Sequence, residues 1–118
     1  MKRQQGGRII NLASMYGLLS FSAKAGYNSA QHGVIGLTKV AALEGAEYGI
    51  TVNALCPSYV DTEQMREQLN DLARTRGVPL EQVLEEVIYP AEPQKRLLEP
   101  REVADYCVFL ASGRGITG

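Results

Sequence analysis

The sequence predicts an α/β protein built on a parallel sheet, and three stretches carry that prediction. Residues 7–14 form a short apolar run ending at a polar tip, Gly-Arg-Ile-Ile-Asn-Leu-Ala-Ser. Residues 25–48 place apolar side chains at helical spacing. Residues 50–56, Ile-Thr-Val-Asn-Ala-Leu-Cys, form a second short apolar run closed by Pro57. Strand, helix, strand in that order is a βαβ unit, which joins a parallel pair through a right-handed crossover.

The first run has glycines before it and few polar positions within it, the pattern of a parallel strand covered on both faces. Ser14 falls at its carboxyl end, where ligands bind in open α/β sheets. In the following helix Val34, Leu37, Val40 and Ala41 recur on one side, and Ile35 and Leu43 widen that apolar face. Gly33, Gly36 and Gly45 each weaken the helix by about 1 kcal/mol against alanine, and Gly49 is its stop. From Thr62 to about Tyr89 the pattern is helical and highly charged, broken at Gly77-Val78-Pro79. It reads as two helices, the first with Met65, Leu69 and Leu72 inward, the second with Leu80, Val83, Leu84, Val87 and Ile88 inward. A loop around Pro90 and Pro93 precedes a last helix over residues 99–111. Pro100 fits its first turn, and Val103, Tyr106, Cys107, Leu110 and Ala111 form its apolar stripe.

The chain has 118 residues, with 12 basic and 13 acidic side chains and a net charge of −1. Length alone allows one domain, taken as residues 1–118. The charge balance gives no electrostatic case for nucleic acid. No apolar run approaches the roughly 20 residues of a membrane span, and no signal peptide is visible, so the default expectation is cytoplasmic. Cys56 and Cys107 lack metal or redox spacing and read as buried thiols. No metal site is expected.

Ser14 and Tyr27 stand thirteen residues apart, and Tyr27-Asn28-Ser29-Ala30-Gln31 follows the serine on the next helix. With residues 7–14, Gly49-Ile50-Thr51-Val52-Asn53 and Pro57-Ser58-Tyr59-Val60-Asp61-Thr62, this order and spacing resembles the short-chain dehydrogenase/reductase family over essentially the whole chain. That family writes its site as a serine followed by Tyr-x-x-x-Lys, and Gln31 stands here in place of the lysine. The implied fold is a partial Rossmann-like, doubly wound parallel sheet. Within the family, Lys24 and Gln68 resemble the pair with which D-3-hydroxybutyrate dehydrogenases hold the substrate carboxylate. Tyr16 stands where those enzymes usually place a substrate-binding histidine, and Ser58 where the family usually has glycine.

The resemblance implies hydride transfer between a nicotinamide and a secondary alcohol or ketone of a small hydroxy or keto acid. Tyr27 is implied as general base or acid and Ser14 as the group that orients the substrate oxygen. Tyr27, Gln31, Pro57, Ser58, Val60 and Thr62 are implied on the cofactor side. Ser14, Tyr16, Lys24 and Gln68 are implied on the substrate side. The cofactor expectation is NAD, with NADP left open. A free phenol ionises near pH 10, and the family's lysine lowers that value through its charge. Glutamine donates hydrogen bonds but supplies no charge. The pattern therefore predicts weak cofactor orientation and loss of much of the roughly 10²–10⁴ in rate that tuned acid–base catalysis gives.

No Gly-x-x-x-Gly-x-Gly occurs in the chain. Against the family's order, the sequence reads as the second half of a dehydrogenase, without the first βαβ units and the last strand. Two readings follow. One is a dehydrogenase that uses the other half of the fold. The other is a non-catalytic piece or interaction module, acting through the helices of residues 25–48 and 99–111, which in the family are common contacts in dimers and tetramers.

Overall fold

The computed structural model describes residues 1–113 and 115–118. In chain order it contains β1 (Gly7–Leu12), α1 (Ala25–Ala46), β2 (Ile50–Leu55), α2 (Glu63–Arg76), α3 (Leu80–Val83) and α4 (Pro100–Ser112). A 3-10 turn, Met15–Gly17, follows β1, and a π-turn, Leu84–Ile88, continues α3. The two strands form a parallel pair in register from Gly7 opposite Ile50 to Leu12 opposite Leu55. The βαβ unit is thus present, and the chain is α/β with a parallel sheet.

The chain divides into two compact units, Met1–Pro57 with Ala104–Gly118, and Ser58–Val103. In the first, Ala42, Ile50 and Val52 form the core. Residues 116–118 run beside β2: Thr117 Oγ1 accepts from Val52 N (3.0 Å), Asn53 Nδ2 donates to Ile116 O (2.9 Å), and Gly118 N donates to Val52 O (2.9 Å). These bonds satisfy strand groups that would otherwise need a partner.

Two expectations fail here. β1 is not covered on both faces: Leu12 is 63% exposed, and Ile9 also reaches solvent. Among the described residues β1 pairs only with β2, so its other edge has no strand to bring cover with it. Nor does α1 bury its most apolar face. Leu37, Val40 and Leu43 are exposed, whereas Asn28, Thr38, Ala42 and Gly45 are buried. Thr38, Ala42 and Gly45 follow one another at spacings of four and three, and Asn28 lies on the same side of the helix nearer its start.

The reason is close approach. A Cβ placed on Gly45 would lie 3.1 Å from Ile50 Cβ, so only a small residue lets α1 lie that near β2. Thr38 closes a polar link in the same stripe: Asn11 Nδ2 donates to its Oγ1 at 2.8 Å, and Oγ1 donates to Val34 O at 2.8 Å. The Asn11 amide and the Thr38 hydroxyl are paired in this way, as burial requires.

In the second unit Leu69, Ala73, Val83 and Ile88 form the core. Thr62 caps α2 by accepting from Met65 N at 3.2 Å. Gly77 ends α2 at φ +65°, where its N–H reaches Ala73 O and Arg74 O, a left-handed C-terminal cap that favours glycine. The second predicted helix is present only as one α-turn followed by the π-turn. At the start of α4, Glu102 Oε2 accepts from Glu99 N (2.8 Å), the carboxylate half of a capping box. Both its oxygens also accept from Arg96, at 2.6 and 2.7 Å. These bonds, Arg96 first and then the Glu99 N–H, pull the Glu102 carboxyl down to about 2.

Candidate active site

The tips of β1 and β2 are tied together where the site begins. Ala13 N donates to Leu55 O (2.7 Å) and Met15 N to Pro57 O (3.0 Å). The chain leaves β1 in extended conformation at Ser14 and turns at once into Met15–Gly17. Ser14 is buried, and its Oγ accepts from Tyr16 N at 3.2 Å. That bond caps the turn and leaves the serine its own proton to donate.

The turn then lies directly on α1. A Cβ on Gly17 would stand 2.9 Å from Gln31 O and 3.0 Å from Ile35 Cγ1. Tyr16 is buried, and its ring meets the Tyr27 ring edge-on with centroids 5.7 Å apart and planes at 77°. Its ring also packs on Phe21 at 4.1 Å. Lys24 Nζ sits 5.4 Å from the Tyr16 ring centroid, a cation–π distance. Lys24 is the N-cap residue of α1, and Ala23 before it adopts φ +60°. A non-glycine residue in that region carries strain, which persists where the surroundings hold it and clusters at ligand-binding loops.

Tyr27 lies in the first turn of α1 and is half-exposed, open to a reactant. Gln31 follows one turn later. Its side chain is partly buried, and its Oε1 is fully buried without a hydrogen-bond partner among the described residues. Turning the carboxamide by 180° exchanges oxygen and nitrogen, so the buried position can hold either the acceptor or the donor of Gln31. In neither orientation does it bring a charge. His32 is turned elsewhere, with Nδ1 2.9 Å from Asn28 O. An unsatisfied amide one helical turn from an accessible phenol has the hydrogen-bonding chemistry for a sugar hydroxyl and lacks the charge of an ammonium.

One residue whose role escaped the sequence reading is Asn28. It is buried, and its Nδ2 donates to Tyr16 O (3.0 Å) and Leu19 O (2.7 Å). A polar residue in the buried stripe of α1 was the available signal.

The remaining predicted residues lie in the second unit. Thr62 has its hydroxyl engaged at the α2 cap, Val60 forms a parallel bridge to Leu98, Ser58 is partly buried, and Gln68 is exposed on α2. Cys56 and Cys107 are partly rather than fully buried, and desolvation pushes the Cys56 thiol up. No cluster of metal-ligating side chains occurs among the described residues. An open cavity of about 590 Å³ lies by Gly7, Arg8, Gly49 and Ser112. It is at the amino ends of the strands, opposite the end where α/β sheets bind ligands.

The parallel βαβ unit thus carries Ser14 at the tip of β1 and Tyr27 in the first turn of α1. The comparisons with known proteins agree. A family model described as enoyl-(acyl carrier protein) reductase matches residues 1–118, and the chain belongs to this short-chain dehydrogenase/reductase family, whose members bind a nicotinamide cofactor. It is 66% identical over 120 residues to the uncharacterized oxidoreductase YxjF of Bacillus subtilis, covering 100% of this chain and 47% of that protein. It is 47% identical over 111 residues to a D-beta-hydroxybutyrate dehydrogenase of Rhizobium meliloti, covering 94% of this chain and 43% of the relative. Among solved structures, ElxO with NADP bound superposes at a TM-score of 0.82 with 33% identity, covering 99% of this chain and 44% of that one. The chain spans less than half the length of the relatives it matches. Among the described residues no helix is long and apolar enough to cross a membrane.

Proposed function

We propose that this chain supplies the serine–tyrosine part of a nicotinamide-dependent dehydrogenase for small hydroxy acids, with 3-hydroxybutyrate as the favoured substrate, NAD as the favoured cofactor and the cytoplasm as its place of action. The observation that carries the reading is the turn Ser14–Gly17 seated on α1, with Tyr27 open beside it. Ser14 holds the substrate oxygen by donating its hydroxyl proton. Tyr27 takes the alcohol proton, or returns it in the reverse direction. Lys24 attracts the substrate carboxylate, and Tyr16 forms the pocket wall. Bound nicotinamide supplies the hydride acceptor. Gln31, with Tyr27, holds sugar hydroxyls without lending charge, so the proton transfer is slow. Sequence order assigns Pro57, Ser58, Val60 and Thr62 to the cofactor and Gln68 to the carboxylate.

The experiment is a chimera. The matching segment of the Rhizobium meliloti enzyme is replaced by residues 1–118, and NADH formation from D-3-hydroxybutyrate is followed. Weak oxidation that both Tyr27→Phe and Ser14→Ala abolish is the expected result. Activity unchanged in Tyr27→Phe contradicts the assignment.

A second reading is favoured by a separate observation. Leu37, Val40 and Leu43 on α1, and Tyr106, Val108 and Phe109 on α4, are large, apolar and exposed, Leu43 to 81%. Apolar surface of this kind marks association. It supports a dimer or tetramer role for the chain, with or without catalysis. Sedimentation of Leu43→Asp against the parent chain tests it: the parent associates and the variant does not.

A further inference from the structure

We infer that Asn28 is a positioning residue of this site: its side chain clamps the turn after Ser14 onto α1 and thereby sets Tyr16 against Tyr27. The inference rests on the reading of Ser14, Tyr16 and Tyr27 as the reacting and substrate-facing groups, and no motif of the sequence assigns Asn28 a role.

Asn28 follows Tyr27 directly on α1, and its side chain turns inward where that of Tyr27 turns out. Its two carboxamide protons reach two carbonyls three residues apart, Tyr16 O and Leu19 O. The amide orientation is therefore fixed, because the opposite one would face oxygen against two oxygens. Oδ1 is left buried without a partner among the described residues. A group with that unmet acceptor remains inside because its donors are needed there.

The segment it grips is tied to the end of β2 by Met15 N, which donates to Pro57 O, and is otherwise bonded within itself. Ser14 Oγ accepts from Tyr16 N, Gly17 N donates to Ser14 O, and Leu18 N and Leu19 N both donate to Met15 O. These bonds close the turn on itself but do not attach it to α1. Attachment to α1 includes the close approach of Gly17 to Gln31, the ring contact of Tyr16 with Tyr27, the Lys24 ammonium near the Tyr16 ring, and the two bonds from Asn28. The Asn28 bonds are hydrogen bonds, and they fix the direction of the contact. A small displacement of a positioned group is costly in catalysis, so the residue that fixes Tyr16 also fixes the shape of the substrate pocket.

The test is made by NMR on the 118-residue chain and requires no turnover, so its failure is separable from failure of the hydroxy-acid reading. In the unsubstituted chain the Asn28 carboxamide protons should exchange at least tenfold more slowly than those of the exposed Asn70. A ring-to-ring NOE should join Tyr16 and Tyr27. Asn28→Leu keeps the volume but removes both donors, so the NOE should vanish while β1–β2 amides stay protected. Asn28→Asp keeps one O–H donor in its acid form and none when ionised, so its NOE should be present at low pH and vanish as the carboxyl ionises. Retention of the NOE in Asn28→Leu shows that volume alone suffices and overturns the inference. So does exchange of the Asn28 protons as fast as those of Asn70, a result available even if both variants unfold.

Discussion

The ring of Tyr27 meets the ring of Tyr16 edge-on at 5.7 Å. One of these tyrosines is open to solvent and the other is buried in the turn that follows Ser14. The contact joins the end of β1 to the first turn of α1, so the serine and the tyrosine of the site are held by one local structure.

Removing the buried ring should therefore unfold more than a surface. Tyr16→Ala loses a large side chain and an aromatic pair worth about 0.5–1.5 kcal/mol beyond its area. The total cost expected is about 3 kcal/mol, read from the urea midpoint. A loss below about 1 kcal/mol means that the ring is not packed as described.

Gly17→Ala should also destabilise, by about 1–3 kcal/mol. Its new methyl would meet the backbone oxygen of Gln31 at 2.9 Å, and helix backbone cannot yield as a flexible side chain does. Urea unfolding of the variant checks this. Gly33→Ala, where a Cβ meets nothing within 4 Å, should be neutral or stabilising.

Lys24→Ala in the chimera should raise KM for 3-hydroxybutyrate by about ten- to a hundredfold, the worth of a hydrogen bond to a charged group. It should change kcat less, since the proposed role of Lys24 is to attract the carboxylate and not to act at the reacting carbon. An equal fall in kcat with KM unchanged would contradict the substrate role.

The Arg96–Glu102 pair gives a pH dependence with a defined sign. Glu102 has a folded value of about 2, below its ordinary 4.5. The stability it lends is complete above about pH 4.5 and is lost as pH falls toward and through about 2. The pair is exposed and the effect correspondingly modest. Glu102→Gln should lower the urea midpoint at pH 6 and flatten its fall between pH 4.5 and 2. Equal acid sensitivity in parent and variant would show that Glu102 contributes nothing.

The βαβ unit was legible because short apolar runs and a helical segment differ in length and period. The break at Gly77-Val78-Pro79 and the helix start at Pro100 were readable from residue chemistry, whereas the cap formed by Thr62 was not foreseen. The buried side of α1 was not. Hydropathy pointed to Leu37, Val40 and Leu43, whereas contact with β2 and with the turn after Ser14 selects Asn28, Thr38, Ala42 and Gly45 for size and hydrogen bonding. Closeness of backbones, unlike apolarity, leaves only small and polar residues as its trace. Ser14, Tyr16, Lys24 and Tyr27 were named through the family resemblance, and all four lie in one unit of the structure. Asn28 had no role until the turn it holds was seen.

On the proposed function, Gln31 leaves Tyr27 without the charge that its proton transfer needs. The direct measurement is kcat/KM of the chimera for D-3-hydroxybutyrate, with and without Gln31→Lys, across pH 6–10. A rise of about 10² or more at neutral pH, with the rate-limiting ionisation moved to lower pH, is the predicted result. An unchanged rate and profile, in a chimera that still requires Tyr27, would contradict it.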